Sequence, residues 1–222
     1  MNPTGLIDAV AFDLDGVLVD SEPLWEDVRR RFTLANGGRW SADAQKTMMG
    51  MSSGEWAHFM AATLGVELPE PDIIRGVVDD MAARYRDGVP LLPGAVEAVQ
   101  RLAARWPLGL ASSANRPLID IVLRVTGLDA HFAATVSSEE VARGKPAPDV
   151  YLEVSRRLGV SATHCAAIED STNGLLAARE AGMRVVAVPR AAYPPDPEVL
   201  ATADAVVPDL SELAVGVIDP GR

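Results

Sequence analysis

Four short apolar runs, at residues 9–12, 108–111, 165–168 and 185–188, each end abruptly and are separated by helical patterns. Runs of this length are too short to cross a membrane and suit strands buried on both faces. Strands alternating with helices predict an α/β fold, a Rossmann-like, doubly wound parallel sheet. Weaker strand signals near 134–136 and 205–207 extend it. In such sheets ligands bind beyond the C-terminal strand ends. There the first run meets Asp13 and Asp15, and Gly16 follows, free to turn sharply and approach an ion or phosphate.

The first crossover is anomalous. A βαβ unit takes about 30 residues or somewhat more, yet everything from 13 to 107 lies between the first two runs. Residues 21–35, 42–49, 54–64 and 71–86 read as helices closed by Gly or Asn-Gly. We expect an inserted four-helix cap over 21–89 and a core domain of 1–20 and 90–222. The cap would enter just after Asp15 and leave through the Pro/Gly segment 89–94, so both connections lie at the ligand edge and can hinge. Further helices are expected at 94–105, 117–126, 149–158 and 171–181, with a loop at 194–197 and a weak helix from Asp209.

The 222 residues carry a net charge of -11, which argues against nucleic acid or anionic membrane as partners. A hydrophobic content of 48% is that of a globular chain. The single cysteine, Cys165, has no intrachain partner, and no basic-plus-apolar leader is evident, so a cytoplasmic location is expected. Of 20 basic residues only Lys46 and Lys145 are lysine. A lysine at a given basic position is therefore a specific choice, a compact charge on a flexible stem.

Three further stretches bring polar groups to the edge that holds Asp13 and Asp15. Ser112 and Ser113, with Asn115, precede a helix whose first amides can hold an anion, although a serine pair is also an ordinary cap. Lys145 lies in a proline-stiffened loop, GKPAPD. Glu169 and Asp170 follow the third run and open the next helix. Among cap residues, Trp25, Trp40, Ser52, Ser53, Glu55, Trp56 and His58 form the expected specificity surface, with the tryptophans also suited to packing. Arg29, Arg30 and Arg31 read as a solvated helix face.

Together DLDGVLVDSE, ASSANRP, GKPAPD and IEDSTNG resemble, in order, the motifs of the haloacid dehalogenase superfamily. The resemblance is to the members with a small helical cap after the first strand, such as beta-phosphoglucomutase and the sugar-phosphate and phosphoglycolate phosphatases. The resemblance implies Asp13 as nucleophile and Asp15 as general acid and base. It implies Ser112 and Ser113, with Asn115, Ser52 and Ser53 nearby, as phosphate or substrate contacts, and Lys145 as partner of nucleophile and phosphate. A Mg²⁺ ion would be held by Asp13, the Asp15 carbonyl, Glu169 and Asp170.

The residue types fit that chemistry. Asp13, Glu169, Asp170 and a phosphate dianion sum to about -5, with like charges opposing by ~4 kcal/mol per pair at close range. Mg²⁺ and Lys145 bring the sum to about -2 where charge develops. Chemistry alone leaves the two aspartates interchangeable; the resemblance assigns them. A dehalogenase needs no Asp15, and a phosphonate hydrolase would need a cap lysine, for which only Lys46 is available. A mutase must hold a second phosphate, yet Ser53 stands where beta-phosphoglucomutases carry a basic residue; Arg75 or Arg84 are the substitutes to consider. The expectation is thus a Mg²⁺-dependent phosphatase acting on a small phosphate ester, as a monomer or weak homodimer. A phosphomutase is the alternative, and a non-catalytic binding protein the remote one.

Overall fold

The computed structural model describes residues 6–49 and 51–221; the expected helix stop at Gly50 lies outside them. Six parallel strands form one sheet: β1 (Ala9–Phe12), β2 (Leu108–Ser112), β3 (Phe132–Ser137), β4 (Cys165–Glu169), β5 (Arg184–Ala187) and β6 (Ala205–Val206). Their order, β3-β2-β1-β4-β5-β6, reverses direction between β1 and β4. That switch opens a crevice beyond the strand ends, where Asp13 and Glu169 lie.

Alternation along the strands divides the core. Val10, Phe12, Leu108, Leu110 and Ile168 belong to one apolar cluster, packed with residues of α5 (Ala95–Ala103) and α6 (Arg116–Thr126). Ala9, Ala11, Ala111 and Ala167 belong to the other, with α7 (Asp149–Leu158) and α8 (Thr172–Glu180). Alanines let α7 and α8 lie close to the sheet, while each fully buried Val, Leu or Phe opposite contributes about 1.5–3 kcal/mol.

The surplus between β1 and β2 is helical: α1 (Glu22–Ala35), α2 (Ala44–Met48), α3 (Ser53–Ala62) and α4 (Glu70–Asp87) precede α5. Their buried Trp25, Met48, Trp56, Ile73, Val77 and Met81 join the apolar cluster of the α5/α6 face, so these helices share a continuous core with the sheet. The entering and leaving segments are tied together. The Asp20 N–H donates to Pro90 O (2.8 Å) and the Leu92 N–H to Leu18 O (2.9 Å).

Two expectations near the C-terminus change. A short helix, α9 (Pro197–Leu200), begins inside the expected loop because Asp196 caps it, accepting from the Glu198 and Val199 N–H groups. The weak helix expected from Asp209 is instead a 3-10 turn at Leu210–Glu212 and a separate α10 (Val215–Ile218).

Candidate active site

Asp13 follows β1 directly, and its N–H continues the ladder to Ile168 O (3.0 Å). Glu169 ends β4, so the two carboxylates emerge side by side. Lys145, from the loop before α7, reaches between them. Its Nζ donates to Asp13 Oδ1 (2.7 Å), Glu169 Oε1 (2.6 Å) and Ala111 O (3.0 Å). Tyr151 on α7 donates its hydroxyl to the same Glu169 oxygen (2.7 Å). The other, Oε2, accepts from the Asp170 N–H and from the Ser171 N–H and hydroxyl. Both Glu169 oxygens are therefore satisfied, as a fully buried carboxylate requires.

Asp170 is not. Its Oδ1 is buried without a hydrogen-bond partner among the described residues, an arrangement that costs about 1–3 kcal/mol or more unless a ligand completes it. Asp13, Glu169 and Asp170 each offer an oxygen within 4.8 Å of the others. Two glycines make room. A Cβ on Gly16, whose φ is +82°, would fall 2.0 Å from Asp170 Oδ2, and one on Gly174 would fall 1.9 Å from the Glu169 carboxyl.

The electrostatics follow from one ammonium among several buried carboxylates. Burial raises the Asp13 carboxyl to about 7; Lys145 opposes the rise and Glu169 and Asp15 add to it. Burial, with Glu169 and Asp13, pushes the Asp170 carboxyl well above the usual range. Burial also works against the Lys145 charge, but Asp13 and Glu169 outweigh it and hold the ammonium above ordinary lysine values. Asp15 is partly buried, and burial raises its carboxyl against Ser21, Lys145 and Arg29. Its carboxylate is not part of the three-carboxylate group.

Asp13, Asp15, Lys145 and Asp170 line a cleft of about 680 Å³ together with Ser53, Ser113 and Asn115. Ser112 ends β2 fully buried, its hydroxyl accepting from the Ala114 N–H (3.0 Å). Asn115 bridges α3 and the turn after β3: its amide donates to Ser53 Oγ (3.0 Å) and to Glu139 Oε1 (2.6 Å). Ser52 stands outside the cleft. It is exposed, and its hydroxyl is taken up in capping α3, where it accepts from the Glu55 N–H and donates to the Glu55 carboxylate.

Residues 7–182 match the family model described as haloacid dehalogenase-like hydrolase. The chain belongs to that family. Among curated relatives of this hydrolase, Hexitol phosphatase B of Escherichia coli (strain K12) is 32% identical over 92% of this chain and 93% of its own. The bifunctional riboflavin kinase/FMN phosphatase of Arabidopsis thaliana is 31% identical over 94% of this chain, which spans only 55% of that protein. Among solved structures, CbbY from Rhodobacter sphaeroides in complex with phosphate superposes with a TM-score of 0.85 at 28% identity, covering 96% of this chain and 99% of that one.

The wall of the cleft formed by α1–α3 departs from expectation at Arg29. Arg30 and Arg31 are exposed, but Arg29 is buried against the rings of Trp25 and Trp56, because positions 25 and 29 lie one turn apart on the inward face of α1. Glu22, Gln45 and Arg190 also line the cleft and escaped notice in the sequence. Arg75 and Arg84 do not line it; they pair with Asp72 and Asp27. His58 is exposed against Glu70 (2.7 Å), and Trp40 packs on the core.

Proposed function

We propose that this hydrolase is a Mg²⁺-dependent phosphatase of a small phosphorylated metabolite, working through an aspartyl-phosphate at Asp13. The observation that carries the reading is the Asp13–Lys145–Glu169 bridge beside the unpartnered Asp170 oxygen, at the switch point of the sheet. The phosphatase names of two relatives and the phosphate in the CbbY complex support it. Residues 21–89 act as a cap over a core of 1–20 and 90–222, in a cytoplasmic monomer or weak homodimer.

The donor set suits Mg²⁺, which prefers carboxylate, carbonyl and water oxygens. Asp13, Glu169, Asp170 and the Asp15 carbonyl would hold it. When bound, the ion supplies positive charge that lets an anionic nucleophile and a phosphate dianion approach. Lys145 fixes the attacking Asp13 oxygen and neutralises the charge gathering on the phosphoryl oxygens. Ser113, Ala114 and Asn115, at the cleft end of β2, present the groups that bind the remaining phosphate oxygens, with Ser112 supporting the turn. Asp15, raised toward its protonated form, gives a proton to the departing alkoxide and afterwards takes one from the water that opens the acyl phosphate.

The positions considered for a second-phosphate base support hydrolysis over mutase chemistry, while Arg29, Lys46 and Arg190 are the cations that line the cleft besides Lys145. Ser53 faces Asn115 where a mutase would present a base, and Arg75 and Arg84 are engaged elsewhere. The test is phosphate release from p-nitrophenyl phosphate and a panel of sugar phosphates, with Mg²⁺ and with chelator. Mg²⁺-dependent turnover supports the reading; none across the panel refutes it.

A further inference from the structure

The Arg29 guanidinium is held in an unusual way. Its centre lies 4.5 Å from the ring centroid of Trp25 and 5.2 Å from that of Trp56. Cation–π attraction to both rings holds the guanidinium against the tryptophan pair. The residue is 5% exposed yet lines the cleft that holds Asp13 and Asp15. Its donors are largely unspent. Nη1 makes one long bond, to Gln45 Oε1 (3.4 Å), and Nε has no acceptor among the described residues. Nor does any described carboxylate form an ion pair with it: Glu22, the nearest candidate by charge, instead accepts from the Gln45 amide (2.7 Å).

A buried cation with unused donors leaves stabilisation unclaimed until an acceptor arrives. The surroundings select that acceptor. Asp20, Glu22 and Glu26 line the same cleft, with Lys46, Lys145 and Arg190 as its other cations; among the described residues Arg190 pairs with Asp20 (2.9 Å). At Arg29 itself the charges that act are the carboxylates of Glu22 and Asp15, which would oppose a second phosphate there. Hydroxyl groups suit both kinds of wall, accepting from a guanidinium and donating to a carboxylate.

We propose that Arg29 is a specificity-determining residue, donating to uncharged hydroxyl oxygens of the substrate's leaving group while Glu22 accepts from them. The inference rests on the phosphatase reading above. It makes Arg29 a reader of the alcohol, with no part in attack on phosphorus.

The test compares two esters with the same phosphate and chain length, a hexitol 6-phosphate and hexyl phosphate, in wild type, Arg29→Lys and Arg29→Met. The readout is the ratio of kcat/KM between them, in which any common effect on chemistry or folding cancels. Wild type should favour the hexitol ester, and both variants should lower the ratio about tenfold or more, mainly through KM. An unchanged ratio overturns the proposal, because a packing role, or an action through Asp15, would slow both esters equally. A wild-type ratio near one overturns it as well, as does a sugar bisphosphate proving the ester most affected. If the variants do not fold, titration of Asp13→Asn with the two esters, followed by indole emission, reads the same contact: tighter hexitol binding supports it and equal affinities refute it. Absence of Mg²⁺-dependent release from every ester by wild type would instead remove the phosphatase reading, and this inference with it.

Discussion

Lys145 Nζ lies 2.7 Å from Oδ1 of Asp13, and the lysine side chain is only 4% exposed. The bond constrains one Asp13 oxygen, and on the proposed mechanism the ammonium stands where phosphoryl charge would develop. Lys145→Met is therefore expected to lower kcat by about 10²–10³. It also strands Asp13 and Glu169 as buried carboxylates, at a cost of about 3–5 kcal/mol. Steady-state kinetics and urea unfolding measure the two effects. A fully stable variant with unchanged kcat would contradict this placement.

If the acidic cluster holds the proposed Mg²⁺, metal and proton compete for the same oxygens. Metal binding needs ionised carboxylates, and the metal-free Asp13 carboxyl titrates at about 7, with Asp170 raised in the same direction. Mg²⁺ affinity should thus fall as pH drops through about 7 and level off above it. Saturating Mg²⁺ at about 100 times Kd stabilises by about 2.7 kcal/mol, a rise of roughly 5–11 °C in Tm for a chain of this size. The rise should be larger at pH 8 than at pH 6 and absent in Asp170→Asn. A pH-independent rise, or one retained by that variant, would count against the site.

How much of this was legible in the sequence depends on how local the signal is. The ends of β1, β2 and β4 were readable because an apolar run stopping at a carboxylate or serine is a local pattern. Arg29 was missed because three consecutive arginines look solvated, although Trp25, Arg29 and Thr33 share the buried face of α1 at a spacing of four. Ser52 was read as a substrate contact despite Ser52-x-x-Glu55, a capping-box pattern visible in the sequence. Tyr151 could not be paired with Glu169 in advance, since only tertiary packing of α7 against the sheet joins them.

On the proposed mechanism Asp15 carries the proton for the leaving group, so the effect of its loss should depend on how much that group needs one. Asp15→Asn is expected to slow a sugar phosphate far more than p-nitrophenyl phosphate, whose phenolate departs readily without protonation. The ratio of the two kcat/KM losses is the measurement. Equal losses would remove Asp15 from the acid role.

Ser53 and Asn115 exchange hydrogen bonds between α3 and the start of α6. Removing one such bond costs about 0.5–1.5 kcal/mol. Ser53→Ala should loosen the contact between α3 and α6 accordingly and raise KM by about two- to tenfold, with kcat little changed. A large fall in kcat at constant KM would show that Ser53 acts in the chemistry instead.

Away from the site, burial alone would raise the Glu140 carboxyl, but the Ser137 N–H, Arg116 and Arg157 hold it at about 2. A depressed carboxylate adds stability that is complete above its unfolded value near 4.5 and is lost as pH falls toward 2. Glu140→Gln should therefore flatten the stability loss between about pH 4.5 and 2 relative to wild type, as followed by thermal melts across that window. An unaltered acid slope would show that the network contributes nothing there.

The central claim is that phosphate passes through Asp13. Wild type mixed with Mg²⁺ and a turned-over phosphate ester, quenched in acid within the first turnovers and digested, tests it by mass spectrometry. One phosphoryl group is expected on the peptide containing Asp13, lost on mild alkaline treatment as an acyl phosphate would be, and absent from Asp13→Asn. A phosphoryl group on another residue, or active wild type yielding no phosphoenzyme under rapid quench while Asp13→Asn still turns over, would contradict it.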